Sequence, residues 1–560
     1  MKSAHQQCRD KQRLATYSSA ILLLHSLETS MGESDRHPPC RWLKQTCRIH
    51  RSWSWKEWYG GSHDIAVGGR EAKGRKGSNV ERLQEAVAIH LGLTSPEAAR
   101  RPIRIIQFGE GNFLRGFVEW IVQQLNNKGV FGGNVAVVQP RENGRVQALE
   151  DQEGLYTVIL EGLKDGQPVR SHELIDSIGK TVNPYQDWDG FLALADDPDT
   201  QIIVSNTTEA GIAVNDGDKV TDQPPAGYPA KLAHLLKRRF DRSMPGFLIM
   251  PCELIADNGP ALHRALINVA ERFGWGKDFI DWLDRENTFV STLVDRIVPG
   301  YPCEDAQELW EMLGYEDQNM VEAEPFLLWV VAGDQTAQCK VDELLPARKV
   351  GIDLVTCDAV QPYRERKVYL LNGPHTTMAQ VARLAGFKTV GQVMGDKTMR
   401  SFITREMEEE IIPVQTLPRE GLESFAAAVR ERFDNPFVQH SLDSIGLNSV
   451  SKFVSRLLPL VTANVNRGSG LPERIVLALS CLLWTYGGKA GDAVNIQDDQ
   501  KVIDAFREAA GQADFVNRIL ADASIWGHDL TRIAGLGEAV RKNLDDLADW
   551  GVQPLIDRLA

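Results

Sequence analysis

Lys367, Asn372 and His375 fall within one short stretch, RKVYLLNGPH over residues 366–375, and together they suit hydride transfer at an alcohol carbon. A lysine withdrawn from water has a lowered pKa and serves as acid or base near neutrality. An asparagine amide donates to the alkoxide that develops when a carbonyl is reduced. A histidine holds a neighbouring hydroxyl. No compact His, Cys, Asp and Glu cluster with ligand spacing accompanies them, so the expected reaction is metal-independent. On an α-helix Lys367 and Asn372 stand about 140° apart. Gly373-Pro374 should end or kink that helix, so His375 should open the next. All three side chains can then converge on one cavity where two domains meet.

A second group is the glycine loop Gly109-Glu110-Gly111, which follows the apolar run Ile103–Phe108 and precedes Asn112, a residue suited to cap a helix. A tight turn there lets backbone N–H groups approach a pyrophosphate. Leu114 stands where the usual dinucleotide fingerprint has its third glycine, and the next glycine is Gly116. The second strand ends Val138-Gln139-Pro140-Arg141-Glu142. Glu142 suits the adenosine ribose of NAD, Arg141 suits the 2′-phosphate of NADP, and the residues leave both open.

The elements that must position these groups follow from the apolar pattern. Buried-strand runs occur at 103–108, 135–138, 156–160, 202–205 and 247–251, with helical spacing between them at 188–194, 229–240 and 260–273. Strands alternating with helices read as βαβ units around a parallel sheet. The strand pattern fades near residue 350. Beyond Pro362 helical patterns dominate, at 396–412, 422–433, 441–460, 472–486, 500–510 and 535–547. The expected architecture is α/β: a Rossmann-like doubly wound domain over 96–355 and a mostly helical substrate domain over 356–560. Residues 1–95 are expected to be a disordered extension.

Charge separates that extension from the rest. Residues 1–77 hold 14 Lys and Arg against 7 Asp and Glu, so the remaining chain carries −21 beneath a whole-chain charge of −14. The acidic body argues against nucleic acid as a partner. No window approaches the ~20 apolar residues of a membrane span. The five cysteines beyond residue 77 lack CxxC or CxH spacing, which fits a reducing cytoplasm. Oligomeric state is not legible.

The Lys-x4-Asn-x2-His arrangement resembles the mannitol dehydrogenase family of polyol-specific long-chain dehydrogenases. The likeness extends over about residues 100–550, through RIIQFGEGNFLR (104–115), SNTTEAGI (205–212), YPAKL (228–232), PCELI (251–255) with Asn258-Gly259, STLVDRIV (291–298), PYRERKV (362–368) and LNGPHT (371–376). The resemblance implies a two-domain fold and an NAD-dependent oxidation of a secondary alcohol, here D-altronate to D-tagaturonate, in hexuronate catabolism. It implies Lys367 as general base in oxidation and general acid in reduction, Asn372 as oxyanion donor and His375 as substrate partner. It assigns Ile105, Ile106, Gln107, Phe108, Gly109, Glu110, Gly111, Asn112, Phe113, Leu114, Arg115 and Gly116 to the nucleotide loop, and Asn206 and Asp295 to the cofactor side.

Three departures from the family pattern stand out. Leu254 occupies the place of a second oxyanion asparagine, leaving Asn258 or Asn206 as substitutes. Arg364 stands in place of a glutamate, next to Glu365. Pro374 replaces a small residue and should shift His375. A sugar-acid substrate needs a cation for its carboxylate, and Arg364, Lys452 and Arg456 are the candidates. The competing readings are a fructuronate reductase, a mannitol-type polyol 2-dehydrogenase and a non-catalytic dinucleotide-binding protein.

Overall fold

A computed structural model describes residues 80–560 except 438–439, 492–493 and 495. The expectation for residues 1–79 lies outside the described residues. The expected extension does not reach residue 95, however. Leu83 donates its N–H to the Glu316 carbonyl at 2.8 Å, and a helix forms at Glu85–His90. Leu83 and Ala88 are buried against Leu155, Leu174 and Tyr315. The short apolar spacing of this segment did not distinguish a small docked helix from a linker.

Among the described residues the strands run in chain order as β1 (Ile103–Phe108), β2 (Asn134–Val138), β3 (Tyr156–Lys164), β4 (Gln167–Ile175), β5 (Ile178–Val182), β6 (Ile202–Ser205), β7 (Leu248–Pro251), β8 (Thr288–Phe289), β9 (Ser291–Asp295), β10 (Val321–Ala323), β11 (Leu328–Ala332) and β12 (Leu354–Cys357). The main sheet has the order β5-β2-β1-β6-β7-β8, and every pairing in it is parallel. This is the doubly wound order, with its direction of winding reversed between β1 and β6. Both faces are covered, which is why its strands are continuous apolar runs. Ile105, Val135, Val137, Ile202 and Val204 pack toward one layer, and Ile106, Phe108, Ala136, Val138 and Ile203 toward the other.

Two smaller sheets complete the α/β half. β3 and β4 form a hairpin joined by β10. β11 pairs antiparallel with β9 and parallel with β12. The register sets Asp295, the last residue of β9, opposite Leu328.

From Gln361 the chain is helical, and one core joins its helices. The helix Glu473–Tyr486 is buried nearly all round and packs between Gly373–Leu384 and Leu536–Trp550. The single helix expected over 441–460 is divided into Leu442–Ile445, Ser449–Arg456 and Leu458–Arg467. Asn448 takes a left-handed φ of 51° at the first break, and Pro459 forces the second by lacking an N–H. Gly373-Pro374 does not end its helix. Gln361–Lys367 passes through a π turn, Val368–Asn372, straight into Gly373–Leu384. The wider turn places Pro374 in the first turn of the resumed α-helix, where a missing N–H is tolerated.

Candidate active site

The π turn changes how the three polar residues are arranged. A π turn takes more residues per turn than an α-helix, so Asn372 lies nearer the face of Lys367 than α-helical spacing predicts. Asn372 and His375 are then i and i+3 on the resumed helix and share a face. Asn372 is buried, and its Nδ2 has no hydrogen-bond partner; neither does His375 Nε2. A buried donor left unpaired costs about 1–3 kcal/mol, so two such groups on one helix face mark a place for a polar ligand.

Lys367 has a partner that its spacing did not reveal. Its Nζ lies 3.1 Å from Asp295 Oδ1 and donates to the Val294 carbonyl at 3.3 Å. Arg432 grips the same carboxylate, at 3.2 Å to Oδ2 and 3.3 Å to Oδ1. Burial alone pushes the Asp295 carboxyl up. The Arg432 guanidinium and then the Lys367 ammonium outweigh burial and hold it at about 2. Asp295 is therefore held by two cations from the helical half. It is not paired with Arg296, which bonds the Glu324 and Gly116 carbonyls and stacks on Trp120 at 4.4 Å.

The His375 surroundings are cationic. Its ring lies 4.4 Å from that of Phe433 and 5.6 Å from that of His440. Burial first, then His440, Arg456, Arg432 and Lys452, depress its pKa well below the usual imidazole value, so it is neutral at pH 7. Lys452 and Arg456 are buried one helical turn apart on Ser449–Arg456. Lys452 Nζ donates to the Ile445 carbonyl at 2.9 Å, and Arg456 donates to Thr376 Oγ1 at 3.2 Å. Neither makes an ion pair among the described residues. Burial and then Arg456 lower Lys452 to about 8; burial lowers Arg456 to about 10. Arg364, one turn before Lys367, lines a cleft with Glu253, Leu254, Ser291, Val294 and Val360.

The substitute oxyanion donors are already committed. Asn258 Nδ2 donates to the Pro251, Glu253 and Thr292 carbonyls, while its Oδ1 accepts from Gly259 and Thr292. Asn206 Nδ2 donates to the Cys252 carbonyl at 3.1 Å. Both tie loops at the ends of β6 and β7; Asn206 spends one of its two amide hydrogens there, whereas the buried Asn372 Nδ2 spends neither.

The glycine loop sits at the sheet's winding reversal. Gly109 has φ +123°, and an added Cβ would approach the Asn206 carbonyl to 3.1 Å. Gly111 faces open space and caps the next helix without a side-chain hydrogen bond, so the first N–H groups of Asn112, Phe113 and Leu114 remain free for an anion. Those features fit a pyrophosphate. Ile105, Ile106 and Phe108 are core, and Gln107 braces the loop by donating to the Gly109 carbonyl and to Glu119. Glu110 accepts from the Arg145 N–H. Arg115 points inward to Asn319 and Asn112, above the Tyr156 ring. Gly116 does the packing expected of a third glycine: a Cβ there would meet Val298 and Val321 at 3.1–3.3 Å. Among the described residues no cluster of His, Cys, Asp or Glu could hold a metal ion.

This architecture has relatives. The profile of the mannitol dehydrogenase Rossmann domain matches residues 103–343, and that of the mannitol dehydrogenase C-terminal domain matches 359–548. The chain belongs to the mannitol dehydrogenase family. An altronate oxidoreductase from Shigella flexneri is 41% identical over 472 residues, covering 82% of this chain and 97% of its own. Two solved structures share the fold. A D-sorbitol dehydrogenase in substrate-free form is 20% identical, with a TM-score of 0.70 over 85% of this chain and 100% of that one. A Pseudomonas fluorescens mannitol 2-dehydrogenase, in ternary complex with NAD and D-mannitol, is 21% identical, with a TM-score of 0.58 over 85% and 99%. As a member of this family the protein is an oxidoreductase. Family resemblance in the sequence pointed to Lys367, Asn372 and His375; it missed Arg432 and Glu324, which sit in ordinary helical and strand patterns far from them in the chain.

Proposed function

We propose that this protein is a cytoplasmic NAD-dependent oxidoreductase that interconverts D-altronate and D-tagaturonate. The observation that carries the sugar-acid reading is the pair of buried cations beside His375, Lys452 and Arg456, which form no ion pair among the described residues and have only Asp498, near Lys452, as a counter-charge. A polyol has no charge to offset two buried cations, whereas a carboxylate accepts charge-assisted hydrogen bonds from both. The 41% identity to an altronate oxidoreductase supports the same substrate. The thiols of Cys252, Cys339, Cys357 and Cys481 are free, whereas Cys303 is disulfide-bonded, and among the described residues no helix is long and apolar enough to cross a membrane.

The geometry supports the following roles. Lys452 and Arg456 anchor the substrate carboxylate. His375, neutral, holds a hydroxyl through its unpaired Nε2. Lys367 Nζ takes the hydroxyl proton in oxidation and returns it in reduction. Asn372 Nδ2 donates to the oxygen as negative charge develops there. The dinucleotide, seated on the Gly109–Gly111 loop, supplies the hydride acceptor. Asp295 holds the Lys367 amine at one place in the cleft. With purified protein and NADH, tagaturonate should cause loss of reduced-nicotinamide absorbance; unchanged absorbance would refute the assignment.

A further inference from the structure

We propose that Arg432 is a positioning residue for proton transfer, acting on Lys367 through Asp295 and itself set by Glu324. The proposal rests on the reading of Lys367 as the proton-transfer group. The four residues form an unbroken row: Lys367 to Asp295 at 3.1 Å, Asp295 to Arg432 at 3.2 and 3.3 Å, and Arg432 to Glu324 at 2.8 and 3.0 Å. The row alternates between halves of the molecule. Asp295 and Glu324 belong to the α/β half, and Lys367 and Arg432 to the helical half. Arg432 is also stacked on Phe326 at 4.4 Å. Its guanidinium therefore has one available orientation, with one edge on each carboxylate.

The second carboxylate has a function that a purely structural pair would not need. Glu324 accepts two N–H bonds from Arg432 and a third from the Ile297 backbone at 2.6 Å. Burial pushes the Glu324 carboxyl above its ordinary value, with Asp295 adding to the rise, and the Arg432 guanidinium and the Ile297 N–H oppose it by favouring the anion. Glu324 draws part of the Arg432 charge away from Asp295. The negative field that Asp295 presents to Lys367 is thus set by a balance between Arg432 and Glu324. Other titratable groups stand around the row: Arg296 beside Glu324, Arg366 and its neighbour Asp353 near Asp295, and His375 and His440 near Arg432. All of these stay fixed when only Arg432 or Glu324 is changed.

The balance predicts opposite effects from its two ends. Arg432→Gln leaves Asp295 less neutralised, favours the ammonium, and should move the low-pH limb of kcat/KM for altronate oxidation to higher pH. Glu324→Gln strengthens the hold of Arg432 on Asp295 and should move the limb to lower pH. Shifts of about half a pH unit or more are expected. Arg432→Lys keeps the charge but loses the fork, so it should retain the limb while kcat falls. NADH binding, followed by fluorescence, reports that each variant is folded. If Arg432→Gln does not fold, Glu324→Gln and Arg432→Lys still decide. Limbs that move together, or that stay at the wild-type pH, overturn the proposal. Lys367→Met separates this from the underlying reading. If that variant keeps turnover and its limb, the lysine role itself fails. If it abolishes turnover while the Arg432 and Glu324 variants keep the wild-type profile, only the positioning role fails.

Discussion

Lys367 Nζ and Asp295 Oδ1 meet at 3.1 Å although one sits at the entrance to a π turn in the helical half and the other ends a strand of the α/β half. The contact fixes the amine across the boundary between the two halves. It also explains why a carboxylate is tolerated in a buried place, since two cations share it.

The unpaired amide of Asn372 separates function from stability. Asn372→Ala removes a donor that the folded protein does not use, so the melting temperature should be no lower than wild type. The kcat should fall by about 10²–10³, as when an oxyanion donor is lost. A variant that keeps its activity and melts earlier would show that Asn372 is structural.

Lys452 sets a pH limit on substrate affinity. With its pKa lowered to about 8, it is cationic below that value and loses charge as pH rises through it. The KM for altronate should therefore climb above about pH 8, while Lys452→Met should have a high KM without that climb. An upward break of the same size in the variant would assign the titration to another group.

Asp295 contributes to acid stability. Its pKa lies at about 2, below the ordinary value of 3.8, so its stabilisation is present above 3.8 and disappears as pH falls through 2. The shift corresponds to roughly 2 kcal/mol. Urea unfolding of wild type and Asp295→Asn should differ at neutral pH, and the gap should narrow between about pH 4 and 2. A gap that does not change over that range would contradict the ion-pair geometry.

Gly116 tests the loop's packing. Its Cβ would press on Val298 and Val321, both attached to structured backbone, at 3.1–3.3 Å. Gly116→Ala should lose about 1–3 kcal/mol of stability and weaken NAD binding. An unperturbed melt would mean that the neighbouring valines yield freely.

The main sheet was legible because its strands are buried on both faces and so read as continuous apolar runs; β1 and β6 begin and end where that pattern does. The short strands β8–β12 were not, since Leu328–Ala332 as an isolated apolar run carries no sign of which sheet it joins. The catalytic stretch was visible as residue types, but its shape was not. Gly373-Pro374 looks like a helix break, and only tertiary packing against Leu457 and Ile411 shows the chain absorbing it in a π turn. Arg432 is one of two arginines in RERF, and its pairing with Asp295 spans 137 residues, a separation that leaves no local signal.

The substrate assignment is tested most directly by kcat/KM for D-altronate and D-mannitol, each with NAD, on the wild type and on Arg456→Met. Altronate should be preferred by at least about 100-fold in the wild type, because a site built around a charged group rejects a substrate that lacks it. Arg456→Met should erase most of that preference by losing altronate activity. A wild type that turns over mannitol as well as altronate would contradict the assignment.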